Sequence, residues 1–100
     1  MNEHIDVQGA SEAVYRFRRV DADAALPVMA GNYLFVRAEP EGFTIVHSGE
    51  ANTLSDARQR WAEARDAHGA THLFVRLNIS QATRAQEHAD IAERYAPPMA

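Results

Sequence analysis

The sequence contains no cysteine. Disulfides, thiolate zinc sites and cysteine nucleophiles are therefore excluded. It also contains no lysine: all 10 basic residues are arginine, against 14 acidic ones, for a formal net charge of −4. A strongly basic nucleic-acid binder is not indicated, although a local arginine patch stays open. No apolar run approaches the ~20 residues that a membrane span needs. The opening MNEHIDVQGASEA lacks the basic start and apolar centre of a signal peptide. A cytoplasmic protein is expected. What is present, 100 residues with 46% hydrophobic and 24% charged, is ordinary for one folded domain. A chain of this size buries roughly 60–70% of its unfolded surface, enough for one modest core. Abundant alanine and arginine in place of lysine suggest a GC-rich bacterial genome, which says nothing of function.

Residues 1–13 are polar without a clear period and read as a flexible N-terminal arm; residues 14–100 read as one domain. Val14–Val20 (VYRFRRV) alternates partly and reads as an edge strand, since exposed arginines suit an edge. Asp21 to Ala30 reads as a short turn or loop ended by Pro27. NYLFVRA (Asn32–Ala38) and FTIVHS (Phe43–Ser48) are rich in β-branched and aromatic residues and predict a hairpin. Between them, Glu39-Pro40-Glu41-Gly42 fits a type I turn. Thr53 is a candidate N-cap, with Asp56 three residues on as in a capping box. Leu54, Ala57, Trp61, Ala64 and His68 form a helical stripe, and Gly69 is the natural stop. Thr71–Leu77 predicts another strand. Ser80 caps a helix over 81–95, with Ala85, His88 or Ala89, Ala92 and Tyr95 facing inward and Pro97 and Pro98 beyond its end. The class is α+β: a small antiparallel sheet of three strands, or four with Val14–Val20, flanked by two helices in the order (β)ββαβα.

Several short pieces stand out in this order. Gly31-Asn32-Tyr33 opens the first hairpin strand, and His47-Ser48-Gly49 closes the second. Glu50–Leu54 leads into the first helix, and Gly69-Ala70-Thr71-His72 leads into the next strand. Arg84-Ala85-Gln86-Glu87 lies on the last helix, and Tyr95-Ala96-Pro97-Pro98 follows it. Taken together, residues 15–100 resemble the GIY-YIG nuclease superfamily, whose motifs are G-[IV]-Y and Y-[IV]-G. The sequence also departs from that pattern. His47 stands where the family has a tyrosine, and Ala57 where it has an arginine. Arg58 is adjacent, but roughly 100° round the helix. Trp61 replaces a common helix histidine, and Met99 or Ala100 falls where the family has an asparagine.

The resemblance implies metal-dependent cleavage of nucleic-acid phosphodiesters. Glu87 would hold Mg²⁺ or Mn²⁺, Tyr33 would orient water, and His47 would act as general base. Arg58 is the nearest candidate for the missing arginine, whose loss costs such a site roughly 100–1000-fold. The site needs Tyr33 and His47 on one face of the hairpin. A loop over 38–42 puts them opposite each other, whereas a loop over 39–42 turns Tyr33 away unless a bulge restores it. Arg16, Arg18 and Arg19 are the densest basic cluster and the candidate phosphate contacts. Each residue also has an ordinary role. Tyr33 suits a sheet, Glu87 a solvated helix face and Trp61 the core, while His47 suits a hydrogen-bonded strand end. Arg58, Arg60 and Arg65 interleave with Asp56, Glu63 and Asp66 as an ion-paired face. His68 and His72 could be read as a metal pair, but Gly69 breaks their helical spacing. Two functions follow: a small nuclease, or a binding module that keeps the fold without the chemistry. The partner of such a module would be nucleic acid, another protein or a second copy, met through a sheet edge or apolar patch.

Overall fold

Residues 1–99 are described by a computed structural model. The elements are β1 (His4–Gln8), β2 (Val14–Val20), β3 (Gly31–Glu39), β4 (Gly42–Ala51), a 3₁₀ helix (Leu54–Arg60), α1 (Trp61–His68), β5 (His72–Leu77) and α2 (Gln81–Tyr95). All strand pairs are antiparallel, in one sheet of order β1-β2-β5-β3-β4. No helix among the described residues is long and apolar enough to cross a membrane.

Two sequence expectations change here. The sheet has five strands, because the stretch expected to be a loose arm contains β1. Only Ile5 and Val7 supply its alternation, too short a signal to stand out, yet both are buried. The Asp90 carboxylate clamps the following turn, accepting from Ser11 N–H (2.8 Å), Ser11 Oγ–H (2.7 Å) and Tyr15 O–H (2.6 Å). Gly9 makes room for it, since a Cβ there would lie 2.0 Å from Asp90 Oδ2. With β1 outside it, β2 is an interior strand, not an edge.

The sheet separates two apolar layers. On one side Phe35, Val46, Leu73 and Val75 meet Leu54, Ala57, Trp61 and Ala64. The helical stripe is thus buried as expected, except that His68 is only half-buried. The Thr53 cap does not form: its side chain makes no capping bond. Instead Leu54 N–H donates to Met29 O (2.8 Å) and Ser55 N–H to Pro27 O (3.0 Å), so loop carbonyls satisfy the helix start. Asp56 N–H bonds Thr53 O (3.0 Å), the tighter spacing of a 3₁₀ turn. Gly69 ends α1 with φ 73°, its N–H donating to Arg65 O (3.2 Å) as in the αL motif, and Ala70 N–H reaches back to Ala64 O (3.0 Å).

On the other side Ile5, Val7, Phe17, Leu34, Val36, Ile45 and Phe74 meet α2 through Ile91. Ser80 caps this helix by accepting from Thr83 N–H (3.3 Å). Its inner face is not the alanine stripe. Ala85, Ala89 and Tyr95 are exposed, whereas Arg84 and Ile91 are buried. The Arg84 guanidinium is held by Glu50 Oε2 (2.9 Å), Asn52 Oδ1 (2.7 Å) and the carbonyls of Asn78 (3.3 Å) and Ile79 (2.7 Å). A fully bonded arginine can occupy a buried helix position that hydrophobic periodicity assigns to alanine.

Candidate functional site

The β3–β4 hairpin starts from a two-residue turn, with Glu39 opposite Gly42, and keeps that register to Val36 opposite Ile45. A bulge then places Phe35 opposite His47 and Tyr33 opposite Gly49. The extra residue, Val46, thus brings Tyr33 and His47 onto one face, which the turn alone would have prevented. Gly49 leaves the space that the Tyr33 ring fills: a Cβ there would lie 2.4 Å from Tyr33 Cζ. Gly31 is equally constrained, because a Cβ would lie 2.3 Å from Arg76 O and 2.8 Å from Leu54 Cδ1. The glycine of each short motif therefore has a packing reason.

Tyr33 (8% exposed) and His47 (5%) meet at a hydroxyl-to-Nε2 distance of 3.2 Å. His47 Nδ1 lies 3.1 Å from Met99 O. A carbonyl only accepts, so Nδ1 carries the proton, Nε2 accepts, and the Tyr33 hydroxyl donates. The C-terminal segment reinforces this, as Met99 N–H donates to Val46 O at the bulge (3.1 Å). Ala100, the other candidate for the family's asparagine position, lies outside the described residues. Burial pushes the His47 pKa below its usual 6.5, against the pull of the Met99 carbonyl, and the nearby Arg60 and His88 push it further down. Burial raises the Tyr33 pKa, while Arg60 acts in the opposite direction. The pair is thus a neutral phenol donating to a neutral imidazole. Beside it a cleft of about 390 Å³ opens between β4, α2 and the tail, lined by His47, Ser48, His88 and Met99 among others.

The other expected site residues go elsewhere. Arg58 donates to the carbonyls of Ala22 and Ala24 and so pins the loop before β3. Ala57 is 3% exposed in the core beneath the sheet. The cation that does act on Tyr33 and His47 is Arg60, which also binds Glu63 Oε1 (3.0 Å) and Oε2 (3.2 Å). The signal was its position three residues after Ala57, one helical turn along. Trp61 is core, edge-on to Phe35 at 5.4 Å between centroids. His68 lends only its carbonyl, to Arg37 Nη1 (3.1 Å), and His72 Nδ1 lies 2.8 Å from Thr71 Oγ1.

Glu87 lies on the α2 side of the sheet, 12% exposed in its side chain. Its Oε1 accepts from Arg76 Nε (2.8 Å) and Asn78 Nδ2 (3.1 Å), and Asn78 also reaches Asn32 Oδ1 (3.1 Å). Among the described residues no group of three or more histidine, aspartate or glutamate side chains is placed to hold a metal. A Mg²⁺ ion can make do with one carboxylate plus waters and phosphates. Here, however, that carboxylate is already neutralised by a guanidinium, and the sheet lies between it and the tyrosine–histidine pair. These residues do not fit a divalent ion working with Tyr33 and His47. The arginine cluster is split by strand alternation. Arg16 pairs with Asp6 (2.9 Å), Arg19 Nη1 donates to Met1 O (2.6 Å), and Arg18 makes no hydrogen bond or ion pair among the described residues.

No protein-family model matches the sequence, and no curated protein matches it. Solved structures do match. The GIY-YIG N-terminal endonuclease domain of UvrC from Thermotoga maritima, as a point mutant bound to its catalytic divalent cation, gives a TM-score of 0.61 at 18% identity, covering 75% of this chain and 86% of that one. The same domain bound to magnesium gives 0.59 at 18% identity, covering 73% of this chain and 84% of that one. At such identity the likeness speaks for architecture alone. The hairpin with its two motif glycines, the helices on either face and these matches make the fold of this chain GIY-YIG-like.

Proposed function

We propose that this chain is a cytoplasmic GIY-YIG-fold domain that no longer cleaves phosphodiesters and works as a binding module. The observation that carries this is the Glu87–Arg76 ion pair, 2.8 Å long and on the far side of the sheet from Tyr33 and His47. The matched UvrC domain structures hold a catalytic divalent cation. Here the carboxylate expected to do so already has a cationic partner. Metal binding at Glu87 would have to break that pair and leave the half-buried Arg76 guanidinium without its counter-ion. Ala57 adds to this, since no arginine stands at the position the family uses. What remains, a buried Tyr33–His47–Met99 chain of hydrogen bonds, holds the β4 bulge and the C-terminal segment together.

The test is cleavage of supercoiled plasmid and single-stranded DNA in Mg²⁺ and in Mn²⁺, with Glu87→Ala purified in parallel. No nicking by either protein is expected, and neither ion should raise the melting temperature of the wild type relative to Glu87→Ala. Nicking by the wild type that disappears in Glu87→Ala would overturn the proposal and restore the nuclease.

A further inference from the structure

We propose that the cleft between β4, α2 and the C-terminal segment binds a small uncharged phenol. This deepens the binding-module reading by naming what the module holds, and it rests on that reading. The cleft, about 390 Å³, falls in the size range of small-molecule sites. Ala92 and Ala96 follow His88 at four-residue spacing, so one stripe of α2 sets a ring beside two small side chains. Ala96, at φ 42°, ends the helix in the left-handed region and turns the chain back. Pro97 and Met99 then line the cleft from the tail, which is anchored where Met99 N–H donates to Val46 O (3.1 Å). β4 is the outermost strand here, so the cleft lies along an edge of the sheet.

The lining selects the ligand. Among the described residues no carboxylate or guanidinium lines the cleft, so a charged ligand would lose its hydration without gaining a counter-ion. Both nitrogens of the His47 ring are already taken, by the Tyr33 hydroxyl and by Met99 O. His88 differs. Its Nδ1 is buried without a hydrogen-bond partner, which holds for no other buried side-chain nitrogen or oxygen among the described residues. A buried polar atom left unpaired is costly, so a ligand that supplies the partner is favoured. A hydroxyl both donates and accepts, and it therefore matches Nδ1 in either tautomer of a neutral imidazole. Ala92, Ala96 and Pro97 call for an apolar body beside that hydroxyl. Met99 adds a thioether, which favours contact with an aromatic ring. A phenol combines the ring and the hydroxyl.

The experiment is titration of phenol into ¹⁵N-labelled protein, followed by amide chemical shifts, with toluene and benzoate as parallel probes. Phenol should shift the amides of Ser48, Ala92 and Ala96 saturably. It should bind about tenfold tighter than toluene, the worth of one hydrogen bond. Benzoate, which carries a charge, should bind at least about tenfold more weakly than phenol. His88→Leu should reduce phenol to the affinity of toluene, whereas His88→Gln, which keeps a hydrogen-bonding group, should retain part of the preference. Ala92→Leu fills the cleft and should weaken phenol and toluene alike. No saturable shift, or a full phenol preference in His88→Leu, would overturn the inference. So would benzoate binding as tightly as phenol, or equal affinity of the wild type for phenol and toluene, which would leave water as the partner of Nδ1. Plasmid cleavage tests the binding-module reading separately: nicking overturns that reading, whereas absent phenol binding without nicking overturns this inference alone.

Discussion

Replacing Gly49 by alanine tests whether the tyrosine–histidine pair depends on an empty position in the neighbouring strand. The added Cβ would lie 2.4 Å from Tyr33 Cζ, 2.5 Å from its hydroxyl oxygen and 2.7 Å from Cε1. Carbon atoms need about 3.5–4.0 Å, so the ring must retreat by roughly 1 Å. It has little room to do so, with Phe35 at 5.3 Å and His47 at 5.5 Å between ring centroids. Overpacking of this kind costs about 1–3 kcal/mol. Losing the bond to His47 adds about 0.5–1.5 kcal/mol. A total of about 3 kcal/mol lowers the melting temperature of a domain this size by on the order of 10–20 °C. The assay is urea unfolding of a double-mutant cycle with Tyr33→Ala. Truncating the ring alone costs about 3–5 kcal/mol. In that background the new methyl group has nothing to strike, and alanine in a strand is no worse than glycine. The two substitutions should therefore be non-additive by roughly 2–3 kcal/mol. Additivity within about 0.5 kcal/mol would refute the close approach of ring and strand on which the site description rests.

Two further outcomes follow from buried polar groups. The His47 pKa lies below 6.5 in the folded chain, so on acidification the unfolded state takes up its proton first. Stability should be level above that value and fall as pH drops below it, and His47→Gln should show a shallower fall in urea titrations near neutrality. His72 shifts in the same direction and supplies part of the slope that remains. The lowered carboxylates of Asp6, Glu39, Asp66 and Asp90 act only below their ordinary values of 3.8 to 4.5. Arg84→Ala should cost about 3–5 kcal/mol, because it leaves Glu50 as an uncompensated, partly buried charge. Arg84→Met and Glu50→Gln together should cost less than Arg84→Ala alone, by the same unfolding assay.

Periodic signals made most elements legible. The alternation of β3 and β4, the Leu54–Ala64 stripe, the Gly69 stop and the Ser80 cap are local, and each appears where its residues place it. What stayed hidden depends on distant partners. β1 has two apolar residues and forms because β2 and Asp90 hold it. The 3₁₀ start after Thr53 needs carbonyls from Met29 and Pro27, more than twenty residues upstream. Arg84 reads as a solvated helix residue until four acceptors from β4, its following loop and the β5–α2 turn converge on it. For the site, the sequence brought out the need for a shared face of Tyr33 and His47, and a bulge as one way to reach it, but not that Val46 is the extra residue. The partners of Glu87 were equally hidden, since Arg76 lies on another element.

The motif glycines and the motif polar residues therefore answer different questions. Gly31 and Gly49 are required by close approach to Arg76 O and to the Tyr33 ring, whatever the domain does. They report that β3 and β4 meet β5 and one another in this architecture, and any sequence with that architecture needs them or their equivalent. Glu87, His47 and Arg58 are under no such steric demand, and each has found a partner within the protein: Arg76, Met99 O and the Ala22 carbonyl. A carboxylate, an imidazole and a guanidinium satisfied internally contribute to folding, and they must give up those bonds before they can act on a substrate. The fold and the chemistry can thus separate with few substitutions. Pairing a catalytic-type residue with an internal neighbour removes reactivity while leaving the packing that defines the family's shape. On this argument the telling residue is Arg76 and not Glu87. Arg76→Ala would release the carboxylate, and if an ancestral metal site persists beneath the ion pair, that variant, not the wild type, should bind Mn²⁺. A lack of Mn²⁺ stabilisation in Arg76→Ala would show that the ion pair is not what keeps a metal from Glu87.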